Sequence, residues 1–192
     1  RDSRIGRIYE GTNEINRMII GGYVLKKSIL EEIPIRLCIQ DRDEEWLPKS
    51  EIASHYEHYF EVVEFCRSLS LSMTNHLILT YGQDLKNNQW ILEPFADLII
   101  SFAIIDIGFK RFYCLDDGKH KDDTEKVFRL SLSNHFYEIL NNSKLILENV
   151  PNESIDNKID LDLKVLDYKP NRIKYKQDII DDLYKYKKYY LD

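Results

Sequence analysis

With 192 residues, 43% of them hydrophobic, the chain can bury a real core and has the length of one domain, or of one domain with an attached piece. Its net charge of −6 speaks against a general nucleic-acid binder, which would present a basic face. No uncharged apolar run is long enough to span a bilayer: the richest, Ile91 to Tyr113, is broken by Glu93, Asp97, Asp106, Lys110 and Arg111 and reads as a core helix.

In chain order, the first segment is Arg1 to Arg17, where Arg7-Ile8-Tyr9-Glu10-Gly11-Thr12 places a carboxylate and a glycine in a tight turn before a helix. Gly11 has no Cβ and lets backbone and ligand approach closely. Thr12 suits a helix N-cap, with Glu14 in the first turn where the dipole favours an anion. The helix should run from about Thr12 to about Glu31, interrupted or tightened near Gly21-Gly22, with Pro34 marking its end. The glycines cost helix stability but allow close packing against another backbone.

A charged connector from about Gln40 to Lys49 leads to Ser50, a candidate cap, and to a long amphipathic helix that ends near Gly82. A second long helix is predicted over Asn88 to Leu115, closed by the turn Asp116-Asp117-Gly118, and a third over Asp122 to Asn149. Pro151 to Pro170 lacks clear periodicity, and Ile159 to Leu166 could be a strand or could drape over the helices. A final helix, Asn171 to Leu191, carries Ile173, Ile180, Leu183 and Tyr184 on one side. Long helices joined by short loops favour antiparallel neighbours, so the expected fold is all-α, an up-down helical bundle over Ser50 to Asp192.

Arg1 to Arg17, and more loosely the chain on to Ile33, resembles the C-terminal signature of the acyl-CoA dehydrogenases, flavoenzymes that use FAD. The resemblance rests on Tyr9-Glu10-Gly11-Thr12 with the flanking arginines Arg4, Arg7 and Arg17. It implies that Glu10 is the catalytic base of α,β-dehydrogenation of an acyl-CoA thioester in fatty-acid β-oxidation, and that Gly11 lies against the substrate. It also implies flavin contacts for Thr12, Asn13 and Glu14, although Thr12 and Asn13 could equally do no more than cap the helix. The same resemblance implies an electron-transfer flavoprotein as acceptor and a homodimer or homotetramer.

The chain is too short for a complete enzyme of that family and begins with Arg inside the motif region, so it reads as the C-terminal portion of a longer polypeptide. Residues 1–40 would end the catalytic helical domain, and 41–192 would form the extra C-terminal helical domain of the larger bacterial and very-long-chain members. By itself the fragment should be inactive. The alternative is a non-catalytic helical module for dimerisation or partner binding.

Other groupings are weaker. His55-x-x-His58 with Glu61 lines one helix face, but one helix rarely completes a metal site, and none is assigned. Cys38, Cys66 and Cys114 are odd in number and form no Cys-x-x-Cys pair, which reads as reduced thiols in a cytoplasmic protein. The tail from Lys169 to Lys188 interleaves Asp178, Asp181 and Asp182 with its lysines and reads as a solvated face, leaving membrane contact at most peripheral.

Overall fold

The computed structural model describes residues 12–40, 52–115, 119–150 and 168–186. Among them are six α-helices and no strand: α1 (Asn13–Ile29), α2 (Ile35–Gln40), α3 (Glu57–Tyr81), α4 (Gln89–Tyr113), α5 (Lys119–Asn149) and α6 (Arg172–Tyr186). The fold is an all-α, antiparallel up-down bundle, as the three- and four-residue spacing of the apolar positions requires.

The long helices α3, α4 and α5 form the body, because each carries an apolar face too wide to leave in water. Phe60, Phe95, Phe109 and Phe112 are fully buried between them. At one end the rings interlock: Phe112 stacks on Phe128 at 5.4 Å and meets Tyr56 edge-on at 4.8 Å. Tyr59 meets Phe128 edge-on at 5.7 Å, and its hydroxyl donates to Glu125 at 2.9 Å. Burial and that carboxylate together push the Tyr59 hydroxyl well above the usual phenol range. At the other end the buried His76 donates from Nε2 to the Val150 carbonyl at 2.6 Å, tying α3 to the end of α5. The Cys66 thiol is buried in the core, and desolvation pushes it well above its ordinary value.

Several boundaries differ from the sequence expectation. A 3-10 turn over Ser54–Tyr56 precedes α3, which starts at Glu57; Ser50, the expected cap, lies outside the described residues. A second 3-10 segment, Gly82–Asn87, carries the chain from α3 to α4. α1 runs unbroken through Gly21-Gly22 and ends at Ile29, close to the expected Glu31: Glu31 N–H reaches Ser28 O at 3.2 Å and Glu32 N–H reaches Lys27 O at 2.9 Å, a Schellman end with Glu31 at φ 58°. The short helix α2, which was not expected, follows and packs on α3. The turn Asp116-Asp117-Gly118, the segment Ile159 to Leu166 and the end of the last helix at Leu191 lie outside the described residues.

The opening helix is docked on α4 by three residues. Leu25 enters the shared core. Gly21 lies against the α4 backbone, where a Cβ would stand 2.8 Å from the Leu92 carbonyl oxygen. Arg17 Nε donates to Asp97 Oδ1 at 2.5 Å, and that carboxylate raises the guanidinium's already high pKa.

Candidate functional site

The residues that carry the family resemblance lead into the start of α1. Glu10 and Gly11, assigned to proton abstraction and substrate contact, lie outside the described residues. Thr12, Asn13 and Glu14 follow without a gap and are described. Thr12 is the N-cap, in extended conformation, and its Oγ1 accepts from the Ile15 N–H at 3.5 Å. At that length the bond is weak. The next backbone bond, Asn16 N–H to the Thr12 carbonyl at 3.0 Å, is a full helical one.

Glu14 is exposed in the first turn, and its carboxyl is held below the usual range, first by its own backbone N–H, then by the Thr12 hydroxyl, with Arg17 adding a smaller Coulomb contribution. Thr12 and Glu14 thus share the donors of the helix start between them. The first turn therefore carries a carboxylate of its own, which offsets the positive end of the helix. Its remaining lone pairs are acceptors, suited to ligand hydroxyl or amino groups.

One residue further on, an apolar groove opens along α1. It has a volume of about 560 Å³ and is walled by Ile15, Met18, Ile19 and Ile29 on α1 and by Leu92 on α4. Gly22 lies in its wall with nothing within 4 Å of where a Cβ would be. The sequence reading missed this groove, although a signal was present. Ile15, Met18, Ile19, Ile20, Leu25, Ile29 and Leu30 cover more of the α1 circumference than one buried face needs. The Arg17–Asp97 pair had no such signal, because its partners stand 80 residues apart.

Arg17 therefore acts as a structural ion-pair donor, while Arg4 and Arg7 lie outside the described residues. His55 and His58 each lean on the following tyrosine ring, at 3.7 and 3.8 Å between centroids, and do not converge with Glu61 on a metal site. Among the described residues no group of three or more metal-ligating side chains comes together. None of the described helices is long and apolar enough to cross a membrane.

No family model matches the chain. A probable acyl-CoA dehydrogenase of Bacillus subtilis (strain 168) is 34% identical over 102 residues, which is 52% of this chain and 17% of that protein. The crystal structure of an acyl-CoA dehydrogenase complexed with FAD from Bacillus anthracis superposes with a TM-score of 0.81 at 25% identity, covering 98% of this chain and 33% of that one. The matched stretches therefore span a third or less of the length of either relative. In sequence and in fold the chain is similar to acyl-CoA dehydrogenases, and its all-α architecture is that of their helical C-terminal part.

Proposed function

We propose that this chain serves as the C-terminal portion of an FAD-dependent acyl-CoA dehydrogenase, an oxidoreductase that introduces a double bond between Cα and Cβ of an acyl-CoA thioester in fatty-acid β-oxidation. One observation carries the reading: nearly the whole chain, 98%, follows the fold of an FAD-bound acyl-CoA dehydrogenase of which it matches only 33%. Residues 1–40 would then close the catalytic helical domain, and 41–192 would form an added helical scaffold. The intact protein would work in the cytoplasm as a homodimer or homotetramer and pass its electrons to an electron-transfer flavoprotein.

In this reading the Glu10 carboxylate takes the α-proton of the thioester. That proton is weakly acidic, so the base must be strengthened by exclusion of water, which disfavours its charged form and raises its pKa. Tyr9 and Ile8 are the apolar neighbours suited to that exclusion, and Gly11 leaves room for the substrate beside the base. When bound, FAD supplies the acceptor for the β-hydride. The residues at the helix start fit the nucleotide in a definite way. Glu14, exposed and with its carboxyl held below the usual range, would accept from hydroxyl or amino groups of the nucleotide rather than hold its phosphates. Thr12 and Asn13 stand beside it, and Thr12 can hold the cap and a ligand contact together.

The test uses the full-length polypeptide that carries this chain. Glu10→Gln should retain flavin and lose anaerobic bleaching of the flavin by acyl-CoA; normal bleaching in that variant rejects the assignment. The 192-residue chain purified alone should be colourless and inactive, and a yellow preparation would contradict the division of labour.

A further inference from the structure

Arg17 has acids on two sides. It follows Glu14 by three residues on α1, so the two side chains share a face of the helix at the spacing of an ion pair. The guanidinium turns the other way. Its Nε donates to Asp97 Oδ1 on α4 at 2.5 Å, with both side chains about one-third exposed. Glu93, one turn earlier on α4, adds a second carboxylate whose charge acts on Arg17 more strongly than that of Glu14. Glu93 and Asp97 are four residues apart, a spacing at which like charges on a helix repel, and a cation lodged against them relieves that repulsion. Arg17 thus belongs to α4, and Glu14 is left exposed at the helix start.

We propose that Asp97, supported by Glu93, is a positioning residue for the flavin nucleotide: it holds the Arg17 guanidinium on the α4 side and so leaves the Glu14 carboxylate free to accept from the ligand. The inference rests on the reading of Glu14 as a flavin contact, and it adds a residue of the scaffold, 80 positions after Arg17 in the sequence. A guanidinium carries five N–H donors in a planar fork and seeks a carboxylate wherever one is in reach. Released from α4, Arg17 would meet Glu14, and the order is the favourable one, with the acid nearer the helix N-terminus. Seated there, it takes up the lone pairs that a nucleotide hydroxyl or amino group would need. The contacts of Gly21 and Leu25 stay in place, so α1 remains docked while its acceptor is lost. Asp97 therefore acts through Arg17 on the availability of Glu14 and touches no ligand itself.

Two preparations test this. In the 192-residue chain, carboxyl-carbon NMR of labelled glutamates follows the titration of Glu14, whose signal is the one lost in Glu14→Gln. The double variant Glu93→Gln/Asp97→Asn should move the Glu14 midpoint to lower pH, because the freed guanidinium favours the ionised form, and adding Arg17→Gln should bring it back up. In the full-length polypeptide the double variant should bind FAD roughly twofold more weakly, the size of an exposed ion pair at this spacing, and adding Arg17→Gln should restore part of the affinity. A merely structural role gives the opposite order, since removing Arg17 as well cannot repair the junction of α1 with α4. A Glu14 midpoint that does not fall in the double variant, or a triple variant that binds FAD no better than the double, overturns the proposal. If Glu14→Gln leaves FAD affinity unchanged in a protein that still binds it, this proposal falls and the proposed function stands; if the full-length protein binds no FAD, both fall.

Discussion

Two adjacent glycines in α1 give a controlled experiment on what holds that helix in place. Alanine in a helix interior is favoured over glycine by about 1 kcal/mol, through backbone entropy, and this gain is common to both positions. At Gly22 an added methyl meets nothing within 4 Å, so Gly22→Ala should stabilise the chain by about that amount. At Gly21 the same methyl would stand 2.8 Å from the Leu92 carbonyl oxygen and 3.4 Å from Ala96 Cβ. A backbone oxygen cannot rotate aside, so α1 must lift from α4, at an overpacking cost of about 1–3 kcal/mol. The propensity gain cancels in the difference between the two variants, leaving Gly21→Ala less stable than Gly22→Ala by about 1–3 kcal/mol. For a chain of this size that separates their melting temperatures by roughly 3–10 °C. Urea and thermal unfolding followed by far-ultraviolet circular dichroism would read it. If Gly21→Ala proves as stable as Gly22→Ala, the close approach of α1 to α4 is wrong, and with it the account of how the helix start is positioned.

Glu31 occupies the left-handed C′ position of α1 at φ 58°, where glycine carries no steric cost. Its exposed pair with Arg36 at 3.3 Å returns little, so Glu31→Gly should stabilise by about 0.5–1 kcal/mol, seen as a higher urea midpoint with unchanged slope. Burial lowers the pKa of both His58 and His135. The unfolded chain therefore binds protons first as pH falls below the ordinary histidine value of 6.5, and stability declines from there until the folded pKa values are passed. Urea midpoints should fall between about pH 7 and pH 5, and the double variant His58→Gln/His135→Gln should flatten that slope; an unchanged slope rejects the assignment.

The bundle was legible because its apolar residues repeat with a helical period over long stretches. Phe95, Leu98, Ile105, Phe109 and Phe112 announce the buried face of α4 with no help from distant residues. Helix ends were less legible. α1 stops at a Schellman turn built on a glutamate, a residue that sequence rules do not associate with a left-handed stop, so the kind of stop was hidden although its place near Glu31 was not. The apolar spacing of α6 was visible, but not the side it would face. Periodicity defines a stripe, whereas its direction depends on which charges meet Lys126 and Arg129 on another helix. At the candidate site, the Thr12 cap and the acidic first turn followed from local chemistry. The Asp97 partner of Arg17 did not, because only folding brings it near.

These observations assign the bundle a role in the chemistry proposed for the turn before α1. A helix start can present a base and flavin contacts only if depth, rotation and tilt of the helix are all set. Gly21 sets the depth, since contact with the Leu92 carbonyl limits how closely α1 can approach α4. The Arg17–Asp97 pair lies one turn before Gly21 and opposes rotation about the helix axis. Leu25, one turn after it, is held in the common core and limits tilt. All three constraints lie on one face and come within the first four turns, so an error in docking is carried directly to Thr12 and Glu14. The scaffold helices need contribute no reacting group to matter for turnover; they hold the rod on whose end such groups would stand.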